Sequence, residues 1–273
     1  MNAIIRPRAT KRIAARIIGI YEKYHRPEYV GIDPLVTLLR FSRPEDLEVA
    51  GLVAAALSYG RVETIIRNIN EIFTRMEFQP YGFLRTTSLS EKKRCLRTFR
   101  HRFNDGNDIA LLLEAVKMII DDSGSVEEFF SDNLRKLQTG IAGAISAFSA
   151  AVYALALNCG APLSDSFKFL IPSPVRGGAC KRMNMYLRWM VRHDDGIDRG
   201  VWKKVQPAQL VIPVDTHIAA IARKLGMTAR TTADWRMAEE ITGFLRRIDP
   251  FDPVRFDFSL CRSGMLDLRK DAA

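Results

Sequence analysis

An all-α fold is what this sequence predicts, on three observations. Apolar residues recur at three- and four-residue spacing along most of the chain, the signature of amphipathic helices. Helix-start signals are frequent: Asp33-Pro34, Ser42-Arg43-Pro44-Glu45, Ser125-Val126-Glu127-Glu128 and Asp252-Pro253 each set a capping residue before a first-turn proline or acid. No stretch alternates apolar and polar residues for the length of a strand. About a dozen helices are expected, and residues 1–273 are long enough for one large domain or two lobes sharing a cleft.

In order, Thr10 to Tyr24 keeps helical spacing through Ile13, Ile17, Tyr21 and Tyr24, and its basic residues (Arg6, Arg8, Lys11, Arg12, Arg16) form a polar face. Asp33-Pro34 starts a short helix through Leu39. The box at Ser42-Arg43-Pro44-Glu45 opens a helix to Leu57 that is apolar on nearly every side, hence buried, and closed by Tyr59-Gly60-Arg61. Val62 to Met76 is amphipathic. Pro80 to Ser90 has loop composition, and Glu91 to Arg102 is a strongly basic segment. Asn107 starts a helix through Ile120, and Ser125 caps another to Leu137. Ile141 to Leu157, rich in Ala, Ser and branched aliphatics, suits the interior, and Leu163 to Pro174 is irregular. Helices follow over Thr216 to Lys224, Asp234 to Arg247 and Asp252 to Leu266, the last with a stripe of Val254, Phe258, Cys261 and Met265.

Lys and Arg number 41 against 31 acids, a formal charge of +10 and a pI near 9.6. That surplus favours a polyanionic partner, nucleic acid or an anionic membrane face; a well-solvated basic surface accounts for it equally well. Cys95, Cys159, Cys180 and Cys261 form no CxxC pair, which points to free thiols. His25, His101, His193 and His217 are equally scattered, so no metal site is expected. No uninterrupted apolar run reaches a membrane span and no signal peptide is read at the N-terminus; a cytoplasmic, nucleoid-associated monomer is expected.

Chemistry concentrates between Ser173 and Ile218. Gly177-Gly178 makes a tight hairpin opening on a helix that carries Lys181 in its first turn, and Pro213-Val214 leads to Asp215 at the start of another. Small residues at Gly177, Gly178 and Ala179 allow a sharp turn with amide N–H groups free at a helix N-terminus, a seat for phosphate. Eight basic residues against three acids lie between Arg176 and Lys204. The ordinary alternative is a helix cap, a turn and a solvated basic face. Lys181 is a surface charge unless its pKa falls; the first helical turn and adjacent Arg182 are expected to push it down. Asp215 is an N-cap by default, and a catalytic carboxylate if it meets the lysine.

Gly177-x-Ala179-x-Lys181 and Val214-Asp215-Thr216-His217 resemble the hairpin and Val-Asp-x-His elements of the helix-hairpin-helix Gly/Pro-Asp superfamily of base-excision DNA glycosylases. Alanine replaces the second hairpin glycine. The likeness covers about residues 173–226 and looks closest to a bacterial conserved domain of unknown function, related to the archaeal 8-oxoguanine glycosylases. It implies a two-lobed helical fold with a helix-hairpin-helix motif. The implied activity is a DNA glycosylase with AP lyase activity, acting on double-stranded DNA containing damaged bases, such as 8-oxoguanine. By similarity Lys181 is the Schiff-base nucleophile and Asp215 the essential carboxylate. Arg176, Gly177, Gly178, Ala179, Arg182 and His217 are then phosphate-side contacts, and Tyr59 or Arg61 fills the gap left by a flipped nucleotide.

Two departures stand out. Lys181 and Asp215 are 34 positions apart, longer than in endonuclease III, so the stretch from His193 to Gln209 must loop out. The four-cysteine run of endonuclease III's iron–sulfur cluster has no counterpart, and no cofactor is implied. Two rival readings need no catalysis: a nucleic-acid-binding protein keeping only the hairpin's phosphate grip, and a basic helical scaffold for a protein partner.

Overall fold

A computed structural model of the chain describes residues 7–160 and 162–270, with side chains from 11 to 160 and from 162 to 265. Arg6, and the side chain of Arg8, lie outside that range. Helix α1 (Pro7–Tyr24) buries Ile17 and exposes Lys11, Arg12 and Arg16, the predicted polar face. Asp33 accepts from the Leu35 N–H and caps Pro34–Leu38, a 3-10 turn.

Helix α2 (Pro44–Ala56) is buried from Asp46 onward, as its missing polar face requires. The capping box expected at its start does not form. The cap position falls on Arg43, which makes no capping bond because Pro44 sets the first turn one residue later than Ser42 needs. The acids of the first turns serve neighbouring elements instead. Asp46 accepts from the Tyr81 N–H, and Glu48 accepts from the Val126 and Glu127 N–H groups. Helix α3 (Val62–Arg75) follows as predicted.

Two helices occupy the segment expected to be loop and basic run, α4 (Pro80–Thr86) and α5 (Leu89–Leu96). A complete capping box, Ser88 with Glu91, starts α5. Its basic residues hid a short apolar face, and Lys92 is buried against Glu114, 2.6 Å away. A two-residue antiparallel ladder, β1 (Arg100–His101) with β2 (Asn104–Asp105), leads into α6 (Gly106–Ser123). Then come α7 (Val126–Leu137) and α8 (Gly140–Asn158). Helix α8 is less interior than its composition suggests. It buries Ala144, Ile145, Phe148 and Val152 against α6 and α7, while Leu157 is exposed. By length and composition it is the one described helix apolar enough to cross a membrane.

Helix α9 (Asp165–Leu170), capped by Ser164, occurs where irregular chain was expected. A 3-10 turn (Pro174–Arg176) then leads to α10 (Lys181–Val191), and the chain closes with α11 (Thr216–Lys224), α12 (Trp235–Arg246) and α13 (Asp257–Lys270). Asp252 makes no capping bond at Pro253, because its carboxylate is turned to Arg192 at 2.8 Å. The fold is all-α. One continuous core links α2 to α10 with a second group, in which α13 packs on α1 and α11.

The 193–209 segment does loop out from the line of α10, but it folds back and seals that helix's C-terminal end. Arg199 and Gly200 N–H groups donate to the Trp189 carbonyl, and Trp202 N–H donates to Met190. Gly200 has φ +56, and a Cβ there would sit 2.6 Å from the Arg192 carbonyl oxygen, so only glycine fits. Asp198 is thereby carried into the interior, between Arg188 and Arg192.

Candidate functional site

Lys181 and Asp215 meet. Lys181 is the first residue of α10, delivered by the turn in which Gly177 takes φ +79 and Cys180 the same left-handed region at φ +48. Asp215 is the N-cap of α11: its Oδ1 accepts from the N–H groups of His217 and Ile218, each at 2.9 Å. Those two bonds hold the carboxylate so that Oδ2 lies 3.3 Å from Lys181 Nζ. One oxygen of the carboxylate therefore caps the helix and the other faces the lysine.

The pair lines a cleft of about 440 Å³ between the two helical groups. Ile32, Pro34, Ile65, Met185, Pro213 and Met265 make its walls largely apolar. Lys181 keeps 35% of its side chain exposed and Asp215 19%, so the ammonium is reachable from the cleft.

The proton lies the other way from expectation. Burial works against the lysine's charge, but the Asp215 carboxylate beside it, together with Cys261 and Asp33, outweighs that and holds its pKa above the ordinary 10.5. Burial likewise pushes Asp215 up, and Lys181 with the Ile218 amide brings it below 3.8. The resting state is an ammonium–carboxylate pair. Arg182, expected to depress the lysine, is turned away from it. Its guanidinium donates to the carbonyls of Ala56 and Phe169 and lies 4.0 Å over the Phe169 ring. Burial lowers its pKa to about 10. Arg182 is 7% exposed, which removes it from the surface contacts predicted for it.

The other predicted residues divide. Val175, Arg176, Gly177 and Gly178 are exposed, so the hairpin tip projects into solvent, whereas Ala179 is buried. The hairpin is braced from behind: Gly178 bridges Asp234, and the Trp235 N–H donates to the Gly177 carbonyl. Cys180 offers no side-chain cap to the first turn of α10. His217 lines the cleft with Nδ1 unpaired among the described residues. Arg61 is exposed at the start of α3. Tyr59 is half-buried, its hydroxyl donating to the His101 carbonyl at 3.0 Å and to Asn104 Oδ1 at 2.5 Å; it is not free to move into a gap.

Sequence reasoning missed Asp257, Cys261 and Met265, which reach the cleft from α13. Burial raises Asp257 to about 6 and the Cys261 thiol to about 12, so the thiol is inert at neutral pH. The apolar stripe of the last helix was legible; that one edge of it borders the lysine was not. Among the described residues no three His, Cys, Asp or Glu side chains gather as a metal would require.

Over residues 33–266 the chain matches the family described as "Protein of unknown function (DUF2400)", and it belongs to that family. No curated protein and no solved structure matches it.

Proposed function

We propose that this family member is a DNA base-excision glycosylase with an associated lyase step, using Lys181 as nucleophile and Asp215 as its partner. The observation that carries the reading is the 3.3 Å approach of Lys181 Nζ to Asp215, across 34 positions of sequence, in a half-open cleft. An exposed glycine hairpin with an uncapped helix N-terminus beside it, and a net charge of +10, supply the grip on a phosphate backbone. These features support a helix-hairpin-helix glycosylase reading, and the two-group architecture with a cleft between is compatible with it.

The damaged nucleotide leaves the base stack and enters the cleft, a step that costs least at lesions and mispairs. The entering nucleotide displaces water from the cleft, which disfavours both charges of the resting pair and drives the Lys181 ammonium proton onto Asp215 Oδ2, 3.3 Å away. The freed Nζ bonds to C1′ of the sugar as the C1′–base bond breaks, and the base leaves with that electron pair and acquires a proton. The attached nitrogen gives up a proton, and its lone pair forms the C1′=N bond of the imine as the C1′–O4′ bond opens. O4′ keeps that bond's electron pair and takes up the proton. Loss of a C2′ proton then expels the 3′ phosphate. Oxidised purines such as 8-oxoguanine are the first substrates to try.

Borohydride trapping on a panel of lesion-containing duplexes tests this. The wild-type protein is expected to give a covalent adduct on at least one lesion, and Lys181→Gln to give none while DNA affinity persists. Salt-sensitive binding with neither adduct nor base release on any lesion leaves a non-catalytic nucleic-acid-binding protein. Absence of DNA binding even at low salt leaves a scaffold.

A further inference from the structure

Beside the cleft stands an aromatic cluster that the catalytic pair does not use. Phe103, 53% exposed, stacks on Tyr59 with ring centroids 5.3 Å apart and 25° between planes. Phe169, 41% exposed, meets Phe103 and Tyr59 edge-on, each at 4.9 Å. Phe103 and Phe169 are the one pair of exposed rings in contact among the described residues. Exposed apolar rings in contact cost solvation, and they persist where they meet a partner.

The cluster is anchored from beneath. Phe103 sits at the tip of the β1–β2 ladder, preceded by Arg102 at φ +56, which turns the chain so that the ring faces outward. Beneath it, Asn68 Nδ2 lies 3.0 Å from His101 Nδ1, which leaves His101 Nε2–H to donate to the Tyr59 carbonyl at 3.1 Å. Burial lowers the His101 pKa, in keeping with that neutral form. Asn104 Nδ2 donates to Asp108 and to the Ser166 carbonyl, tying the ladder to α6 and α9. The buried Arg182 guanidinium supports Phe169 and Tyr59 from below. Outside, Arg61 and Arg102 are exposed. The surface is continuous with the cleft, since Ser58, Tyr59 and Gly60 also line it.

We infer that Tyr59, Phe103 and Phe169 form a stacking platform for an unpaired nucleobase of the DNA whose neighbouring nucleotide occupies the cleft. The inference rests on the glycosylase reading and gives it a substrate preference, for DNA with unpaired or mispaired bases over perfect duplex. A fixed aromatic ring offers every base a π face, and flanking arginines hold the phosphates on either side. Rings anchored in advance pay little ordering entropy when a base arrives.

The test uses two duplexes of equal length, one fully paired and one with a three-nucleotide bubble carrying 2-aminopurine, and follows both fluorescence and affinity. The wild-type protein is expected to prefer the bubble by at least tenfold and to quench the 2-aminopurine. Phe103→Ala is expected to reduce that preference about tenfold, the worth of one base–aromatic stack, with affinity for the paired duplex and its salt dependence unchanged. Phe103→Trp, checked for the same melting temperature, should retain preference and quenching. An unchanged preference and unchanged quenching in both Phe103→Ala and Phe169→Ala overturn the platform. If wild type still forms the borohydride adduct in that case, the catalytic reading stands alone. A ring-dependent bubble preference with no adduct on any lesion keeps the platform and removes the chemistry. No binding to either duplex removes both.

Discussion

Helix α10 carries two kinds of cation–carboxylate pair, one at each end. At its start Lys181 meets Asp215, its one ion-pair partner among the described residues, at 3.3 Å, with 35% and 19% of the side chains exposed. Toward its end Arg188 and Arg192 share Asp198 and take Asp257, Asp195 and Asp252 besides, with both guanidiniums no more than 4% exposed. A guanidinium does not give up its proton, and its planar fork is held by several acceptors at once. The far end is therefore permanent structure, fixing α10 against the 193–209 segment and α13. Lys181 has one ion-pair partner among the described residues and an open side towards the cleft. One helix thus presents a partly open lysine at its start and keeps its other end closed.

The comparison breaks most visibly at the closed end. Asp198→Ala leaves Arg188 and Arg192 short of a shared acceptor in a site with 0% exposure for the aspartate. A loss of about 3–5 kcal/mol is expected, measured by denaturant unfolding, and a loss under about 1 kcal/mol would show that the network is not structural.

Glu48 separates burial from pairing, because amides rather than a cation meet its carboxylate. Burial raises its pKa from 4.5 to about 7. The folded state therefore holds a proton that the unfolded chain has released, and stability falls as pH rises from the lower value through the upper. Over that window the change is about 3 kcal/mol. Glu48→Gln should abolish this slope and be the more stable protein at pH 8; a slope that survives in the variant argues against Glu48 as its source.

At the open end, Asp215→Asn keeps a competent cap for α11 and removes the charge. The lysine's pKa should drop, moving the alkaline rise of adduct formation to lower pH, while the maximal rate falls about a hundredfold or more. A pH profile identical to wild type would mean that the two side chains do not share a proton. The smallest effect is on folding itself. Lys181→Gln is expected to change stability by under about 1 kcal/mol, since a partly exposed single pair contributes little.

Most helices were readable because their signals are local. Asp33, Ser125 and Asp215 cap where they were expected to. The misses came where a local signal was overridden or obscured. Pro44 displaced the Ser42 box, Asp252 went to Arg192, and the basic residues of α5 masked the Ser88–Glu91 box that starts it. The platform was not legible, because Phe103, Tyr59 and Phe169 come from three separate elements.

The sequence alone determined that the chain is helical, that a glycine turn delivers Lys181 to a helix start, and that Asp215 caps another. Those outcomes depend on interactions within one or two helical turns, where neighbours in sequence are neighbours in space. Tertiary structure decided that the two meet, that the lysine rests protonated, and that Arg182 turns inward. Charge and proton depend on burial and on which partner lies within a few ångströms, and distant segments supply both.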